Sequence, residues 1–283
     1  MEDERTQHES VWEQIFSREN LFKAVARVES KQGAPGVDGM TTEELADHLR
    51  EHWPGIRARL DAGIYQPSPV KRAMIPKPGG GERQLGIPTV LDRFIQQAML
   101  QVLSEVFEPT FSEHSYGFRP NRSAQQAVQV ARSYIEEGYP WVVDIDLAKF
   151  FDTVNHDRLM ARMKQTISDK QVLRLVNEYL KAGVMVDGVV VETHEGTPQG
   201  GPLSPLLSNI VLTELDRKLE ERGHRFVRYA DDCNIYVGSR TAAERVMGST
   251  QRFIEKRMRL QVNEAKSAAD LAINRQFLGF SFY

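Results

Sequence analysis

The sequence predicts an α/β (α+β) protein in which antiparallel sheet is backed by helices, and three observations carry that reading. An apolar stripe at helical spacing runs through residues 91–106. Short apolar runs flank turn-forming residues at Val70–Ile87, Val184–Glu192 and Phe226–Val237, the pattern of β-hairpins. The chain has 283 residues, 41% hydrophobic and 27% charged, which suits one large or two closely packed domains with an ample core.

Taken in order, residues 10–30 read as one helix closed by Gly33, with a Gly/Pro loop over Lys31–Met40. A second helix begins near Thr41 or Thr42, where Glu44 is placed for N-terminal capping, and carries Leu45, Leu49, Ile56 and Leu60. The hairpin Val70–Ile87 turns at Gly79-Gly80-Gly81, where residues without a Cβ tolerate positive φ, and is studded with Lys71, Lys77 and Arg83. Next, Leu91, Phe94, Ile95, Ala98, Met99, Val102, Leu103 and Val106 keep the i, i+3, i+4, i+7 spacing of a core-facing helix. Ser123 caps a further helix that ends at Gly138. Trp141–Leu147 is a buried strand, because Val142, Val143 and Ile145 are β-branched and a turn over Gly138–Pro140 precedes it. A helix near Asp157–Ile167 and another from a Ser168 cap to Gly183 lead to the second hairpin, with Asp187-Gly188 as its two-residue turn. A long helix after Pro202 and Pro205 ends at Gly223, and the third hairpin carries Asp231 and Asp232 at its tip. A helix over Thr241–Arg259 and a strand over Phe277–Phe282 come last.

Lys and Arg number 36 against 39 Asp and Glu, a net charge of −3 that does not favour a dedicated nucleic-acid binder. Net charge decides little, however, in an enzyme that gathers carboxylates at metals and cations along a groove. The single cysteine, Cys233, excludes an internal disulfide framework and a thiolate metal cluster, and reads as a small buried residue. His114, His156, His194 and His224 show no ligand spacing and read as structural. There is no membrane-length apolar run, and the first residues are too charged for a signal peptide, so the expectation is a cytoplasmic protein without a membrane span.

Chemistry concentrates in the acids. Asp144 and Asp146 interrupt one apolar strand, and Asp231 and Asp232 sit at the bend of another. Two carboxylates about 4 Å apart repel by roughly 4 kcal/mol at an effective dielectric near 20, so several in one sheet make sense when cations neutralise them. Oxygen ligands without a supporting His or Cys set favour a hard ion such as Mg²⁺ over zinc. Two such ions bridged by aspartates suit in-line phosphoryl transfer. Strand alternation does not choose between Asp144 and Asp146, which point to one face.

Seven blocks, in order, resemble the N-terminal two thirds of a bacterial group II intron-encoded reverse transcriptase/maturase. They are Gly33-Ala34-Pro35-Gly36-Val37-Asp38-Gly39, Ile75-Pro76-Lys77-Pro78-Gly79 and Ser115-Tyr116-Gly117-Phe118-Arg119-Pro120. Asp144-Ile145-Asp146-Leu147-Ala148-Lys149-Phe150-Phe151-Asp152 and Thr197-Pro198-Gln199-Gly200-Gly201-Pro202-Leu203-Ser204-Pro205 follow. Tyr229-Ala230-Asp231-Asp232 and Phe277-Leu278-Gly279-Phe280 complete the set.

The resemblance implies the fingers and palm of a right-hand polymerase. Residues 1–62 would be an N-terminal extension and the start of the fingers, 63–140 the fingers, and 141–283 the palm with fingers segments inserted around 158–195. The family's thumb, DNA-binding and endonuclease regions are expected to lie outside this sequence. The implied activity is RNA-directed DNA polymerisation from a DNA primer on an RNA template with dNTPs. Two Mg²⁺ ions, or Mn²⁺ in their place, would be held by the catalytic Asp146, Asp231 and Asp232 with the backbone carbonyl of Leu147. Asp146 is the first ligand because Phe151 follows it at the spacing of the family's nucleotide gate, and Asp144 becomes a supporting acid. Phe151 would bar a 2′-hydroxyl. Lys71, Lys77, Arg83, Gln199 and Lys266 would bind the dNTP, with Gly200 and Gly201 permitting close backbone approach to the nucleotide. Arg119 and Arg122 would touch the template backbone. The full-length protein would also bind its parent intron RNA as a maturase, and a homodimer is a further expectation. An RNA-dependent RNA polymerase would instead carry Gly-Asp-Asp and a polar group in place of Phe151, and a nucleotide cyclase a Gly-Gly-acid-Glu-Phe signature. Retron, diversity-generating and CRISPR-associated transcriptases are nearer, but Gly200-Gly201-Pro202-Leu203-Ser204-Pro205 favours the group II lineage.

Overall fold

The computed structural model describes residues 10–76, 82–186, 188–191, 195–197 and 200–283. In chain order its helices and strands are α1 (Val11–Ile15), α2 (Arg18–Ser30), α3 (Leu45–Asp61), β1 (Val70–Pro76), β2 (Glu82–Ile87), α4 (Val90–Phe107) and α5 (Ala124–Glu136). Then come β3 (Trp141–Ile145), α6 (Phe150–Thr153), α7 (His156–Thr166), α8 (Lys170–Lys181), β4 (Val184–Val186), β5 (Val189–Val191) and α9 (Ser204–Glu221). Last are β6 (Arg225–Tyr229), β7 (Asp232–Val237), α10 (Arg240–Phe253), β8 (Ala268–Leu271), β9 (Gln276–Phe277) and β10 (Phe280–Ser281). Two compact units result: the chain up to Val106 with His156–Ser204, and Phe107–Asn155 with Pro205–Tyr283. Residues 107–140, grouped with the fingers in the division drawn from sequence, thus belong to the second unit.

In the first unit the predicted stripe is the buried face of α4, with Phe94, Ile95, Ala98, Met99 and Leu103 essentially inaccessible. Asp92, in the first turn of α4, is buried among donors. Its carboxylate accepts from Tyr65 Oη (2.8 Å), Thr89 Oγ1 (2.7 Å), the Ser68 amide (3.0 Å) and Tyr179 Oη (3.3 Å). That satisfies a group which would otherwise be costly in the core. A mixed sheet of order β2-β1-β4-β5 accompanies the helices. β1–β2 and β4–β5 are the two hairpins read from sequence, and Gly188 holds φ at +82° in the second turn. Gly79-Gly80-Gly81 and Asp187 lie outside the described residues. The parallel join of Val70 to Val184 was not foreseen, because it pairs strands far apart in sequence.

Four helix ends differ from the sequence reading, the first being the start of α3, at Leu45 and not near Thr41 or Thr42. The single helix expected over residues 10–30 is two, because the Ser17 hydroxyl accepts from the Asn20 amide and starts α2 afresh. The cap of α8 is Asp169, not Ser168: its carboxylate accepts from the amides of Gln171 and Val172. The helix expected to reach Arg259 leaves α geometry after Phe253 for a π-helical turn, Ile254–Met258, closed by Arg259 at φ +61°.

The second unit is built on an antiparallel sheet of order β6-β7-β3-β8. On one face Val142, Val227 and Tyr236 meet Ala127 and Ala131 of α5, together with Tyr116, Ala272, Phe277 and Phe282. The other face buries Val143, Ile145, Phe226, Cys233 and Ile235. Burial pushes the Cys233 thiol well up, which fits a packing role. β8 was not predicted, since Ala268-Ala269-Asp270-Leu271 lacks the β-branched signature of a strand. The expected strand Phe277–Phe282 is a tight hairpin instead, with Leu278 and Gly279 at positive φ between β9 and β10.

Candidate active site

The acids gather at one end of the first of those faces. Asp144 stands in β3 opposite Asn234 of β7, and Asp232 opens β7 opposite Tyr229 of β6, so alternation puts Asp144, Asn234, Asp232 and Tyr229 on one side. Asp146 lies just past the end of β3, where its amide donates to Ser267 Oγ (3.0 Å) and its carbonyl accepts from the Asn263 amide (2.8 Å). Leu147, whose side chain is buried, bridges to Val262, and the Ala148 amide donates to the Gln261 carbonyl (2.8 Å). Asp144, Asp146, Asp232, Lys266, Arg275 and Leu278 are among the residues that line a cleft of about 380 Å³.

The structure separates the two acids that alternation left equivalent. Asp144 is paired with Arg275, whose Nη2 and Nε lie 2.6 and 3.1 Å from one carboxylate oxygen. With its amide nitrogen turned inward, Asn234 donates to the other oxygen at 3.0 Å. Burial pushes the Asp144 carboxyl up, and Arg275 opposes that rise. Asp146 faces the exposed ammonium of Lys266, at 3.5 Å. Asp232 is pushed up to about 6, first by loss of water around its carboxylate and then by Asp231, Asp146 and Asp144 in turn. The four acids therefore feel one another, and Lys266 relieves only part of that repulsion.

What holds the Asp231–Asp232 bend is a buried arginine. Arg228 is completely inaccessible, as is its partner Asp216 on α9. Two hydrogen bonds of 2.7 Å join them side by side. The remaining guanidinium edge donates to Asn209 Oδ1 (2.9 Å) and to the carbonyl of Ala230 (2.7 Å), which fixes the turn residue itself at φ +56°. Gly117 packs so closely on this turn that a Cβ there would lie 2.3 Å from the Ala230 nitrogen. Its carbonyl accepts from Asn209 Nδ2 at 2.9 Å. Sequence reasoning did not single out Arg228, Asp216, Asn209 or Arg275. The available signal was the charge of Arg228 inside the apolar run Phe226–Tyr229; Asp216 sits among other charged residues in Leu212–Leu219, and nothing local marks it.

The other expected site residues divide as follows. Phe150 is buried and Phe151 half-buried, with ring centroids 5.3 Å apart, so the core role falls to Phe150. Lys71 is exposed on β1, and Arg83 stands opposite Ile75 in the β1–β2 ladder, both in the first unit. Lys77 and Gln199 lie outside the described residues. The glycines after Gln199 are required by the protein itself: a Cβ on Gly200 would lie 2.5 Å from the Gly86 carbonyl, and one on Gly201 2.6 Å from Gln96 Oε1. Arg119 does not present itself to a template. Its side chain is 3% exposed, pairs with Glu108 at 2.7 Å and donates to the carbonyls of Ser112 and Ser115. Arg122 is paired with Glu113 and lies over the Tyr116 ring. His156 shares a 2.6 Å hydrogen bond with the Gly196 carbonyl, and His114 packs on Phe226, both structural contacts. His194 lies outside the described residues.

Among the described residues no three His, Cys, Asp or Glu side chains form a ready-made metal cage. The donor set nevertheless suits a hard divalent cation. Every donor is oxygen, and Asp231, Asp146 and Asp144 add, after loss of water, to the upward shift of Asp232, so negative charge is concentrated here.

That shift has a sign that can be measured. An unfolded aspartate titrates near 3.8 and Asp232 in the fold near 6. Between those values the folded chain holds a proton that the unfolded chain has lost, so stability falls as pH rises through this window and stays reduced above it. Without divalent cations, Asp232→Asn should melt higher than wild type at pH 7.5 and equally at pH 4. Since Asp232 is exposed, screening limits the gain to about 1 kcal/mol or less; identical melting at pH 7.5 would contradict the shift. Asp216→Ala strands a buried guanidinium and should cost about 3–5 kcal/mol in urea unfolding. A loss below about 1 kcal/mol would show that Arg228 does not hold the turn.

Comparison with known proteins agrees with this geometry. Residues 75–282 match the family "Reverse transcriptase (RNA-dependent DNA polymerase)". Protein YkfC of Escherichia coli K12 is 41% identical over 214 residues, covering 74% of this chain and 56% of YkfC. Group II intron-encoded protein LtrA of Lactococcus lactis subsp. cremoris is 39% identical over 208 residues, covering 73% of this chain and 34% of LtrA. The chain thus spans about half or less of these relatives' lengths. A chain of a partial Cas6-RT-Cas1–Cas2 complex superposes with a TM-score of 0.54 at 25% identity, covering 88% of this chain and 43% of that one. No described helix is long and apolar enough to cross a membrane. An acid-tipped hairpin clamped beside a strand that carries two more acids, within a sequence match over residues 75–282, makes this chain a member of the reverse transcriptase family.

Proposed function

We propose that the chain is the polymerising part of a bacterial, cytoplasmic reverse transcriptase of the group II intron type, extending a DNA primer on an RNA template with dNTPs. The grouping of Asp146, Asp231 and Asp232 carries this reading: loss of water first, and then the charges of Asp231, Asp146 and Asp144, lift Asp232 to about 6. Two Mg²⁺ ions, with Mn²⁺ as substitute, would be held by those three acids and the Leu147 carbonyl, lowering the pKa of the attacking hydroxyl and stabilising the departing pyrophosphate.

The protein's own part is positioning. Arg228 and Gly117 keep the bend that carries Asp231 and Asp232 in one shape. Arg275 holds Asp144 in an ion pair, which leaves it a supporting role. Lys266, beside Asp146, is placed to receive a phosphate in exchange for that carboxylate. Phe151 supplies the ring that excludes a 2′-hydroxyl. Lys71, Lys77, Arg83 and Gln199 are assigned to the dNTP, and Arg122 to the template, on family resemblance. Binding of a parent intron RNA completes the proposal, on family resemblance and on likeness to a protein named as group II intron-encoded.

Incorporation of dNTPs on an RNA template with a DNA primer tests it. The chain should extend the primer, and Asp231→Asn/Asp232→Asn should lower the rate at least about a thousandfold, equivalent to about 4 kcal/mol, while RNA binding persists. Extension by the double variant in Mg²⁺ would refute the assignment. In the same assay Phe151→Ala should admit ribonucleotides; an unaltered preference for dNTPs would remove the gate role.

A further inference from the structure

Phe118 combines two features that rarely occur together. Its side chain is 55% exposed, and its backbone holds φ at +59°, a region that crowds a bulky residue. The conformation is imposed from both sides. Before it, Tyr116 donates its amide to the Arg228 carbonyl (2.8 Å), while Gly117 is wedged against Ala230 and tied to Asn209. After it, Arg119 is fastened to Glu108 and to the carbonyls of Ser112 and Ser115. Clamped between these anchors, the Phe118 ring stands 6.5 Å from the Tyr229 ring, centroid to centroid, at an interplanar angle of 43°. Tyr229 is the cross-strand partner of Asp232. A strained, outward-held aromatic at the edge of a reactive site marks a ligand contact.

The surroundings narrow the ligand. Arg119, Arg122, Arg228 and Arg275 are each paired with an acid of their own unit. Beside the exposed ammonium of Lys266, what this edge offers a nucleic acid is a flat π-face, which takes any base without regard to sequence. The strand whose end must reach the acids is the one being extended. We propose that Phe118 is a stacking contact for the nucleotide at the 3′ end of the primer. This rests on the polymerase reading of the acid site and deepens it.

Binding can be read without chemistry, on a DNA primer annealed to an RNA template, with 5-iodouracil as the primer's terminal base and no dNTPs. Irradiation should cross-link that base to Phe118. Phe118→Ala should weaken duplex binding about tenfold, Phe118→Leu should do the same, and Phe118→Trp should restore it to within about twofold of wild type. Phe118→Gly, which relieves the backbone while removing the ring, should melt at or above wild type and still bind weakly.

Binding by Phe118→Gly within about twofold of wild type would overturn the proposal. So would the absence of a cross-link from the primer terminus, or a cross-link to Phe118 only from iodouracil in the template. Failure of the underlying reading looks different: the wild-type chain would not extend the annealed primer, whatever the cross-link shows. A chain that extends the primer equally well with Phe118→Gly would sink the present proposal alone.

Discussion

A guanidinium buried to zero exposure is among the more demanding groups a fold can contain, because its desolvation must be met by donors' partners on every side. Arg228 meets that demand with Asp216 and Asn209, which tie α9 to the β6–β7 hairpin, and with the Ala230 carbonyl in the hairpin's own turn. Asp216 and Asn209 bring α9, and Asn209 also holds Gly117, which brings the loop carrying Phe118. The consequence is a fixed register. Tyr229 opposes Asp232, and a slip of one residue would carry Asp232 to the face of Cys233 and Ile235, away from Asp144. Two features left costly by local rules, an alanine at positive φ and a glycine without room for a Cβ, follow from this single arrangement.

Charge in the cleft is graded by the same framework. Asp144 is paired with Arg275, Asp146 is approached by Lys266, and Asp232 is raised by loss of water and then by the acids around it, with only partial relief from Lys266. Overall charge could not reveal this gradation. The chain's balance of −3 sums ion pairs that cancel locally, such as Arg228 with Asp216, and a cluster whose excess is the point.

Legibility in the sequence followed the range of the interactions. The α4 stripe and the β6–β7 hairpin are encoded within a few turns or a few residues, and periodicity found both. Caps are local too, yet Ser17 was passed over because apolar residues on both sides continued a helical rhythm. The parallel β1–β4 join, the edge strand β8 and the ion pair of Arg275 with Asp144 depend on segments distant in sequence, and nothing near any of them announces the partner. For the site, four acids in apolar surroundings were visible, whereas their ranking came from family resemblance and acquired a physical cause only with Arg275 and Lys266 in place.

The β9–β10 hairpin shows why stability and chemistry are hard to separate here. Phe277 and Phe282 are buried in the core with Val142 and Tyr236, and between them Leu278 and Gly279 turn the chain at positive φ. Seating Phe277 in that core places Arg275, two residues earlier, against Asp144. It also sets Leu278, the next residue, on the wall of the acid cleft. An aromatic packing contact therefore fixes which acid is neutralised and which stay charged. A substitution that loosened Phe277 would act on the electrostatics of Asp144 without touching any acid.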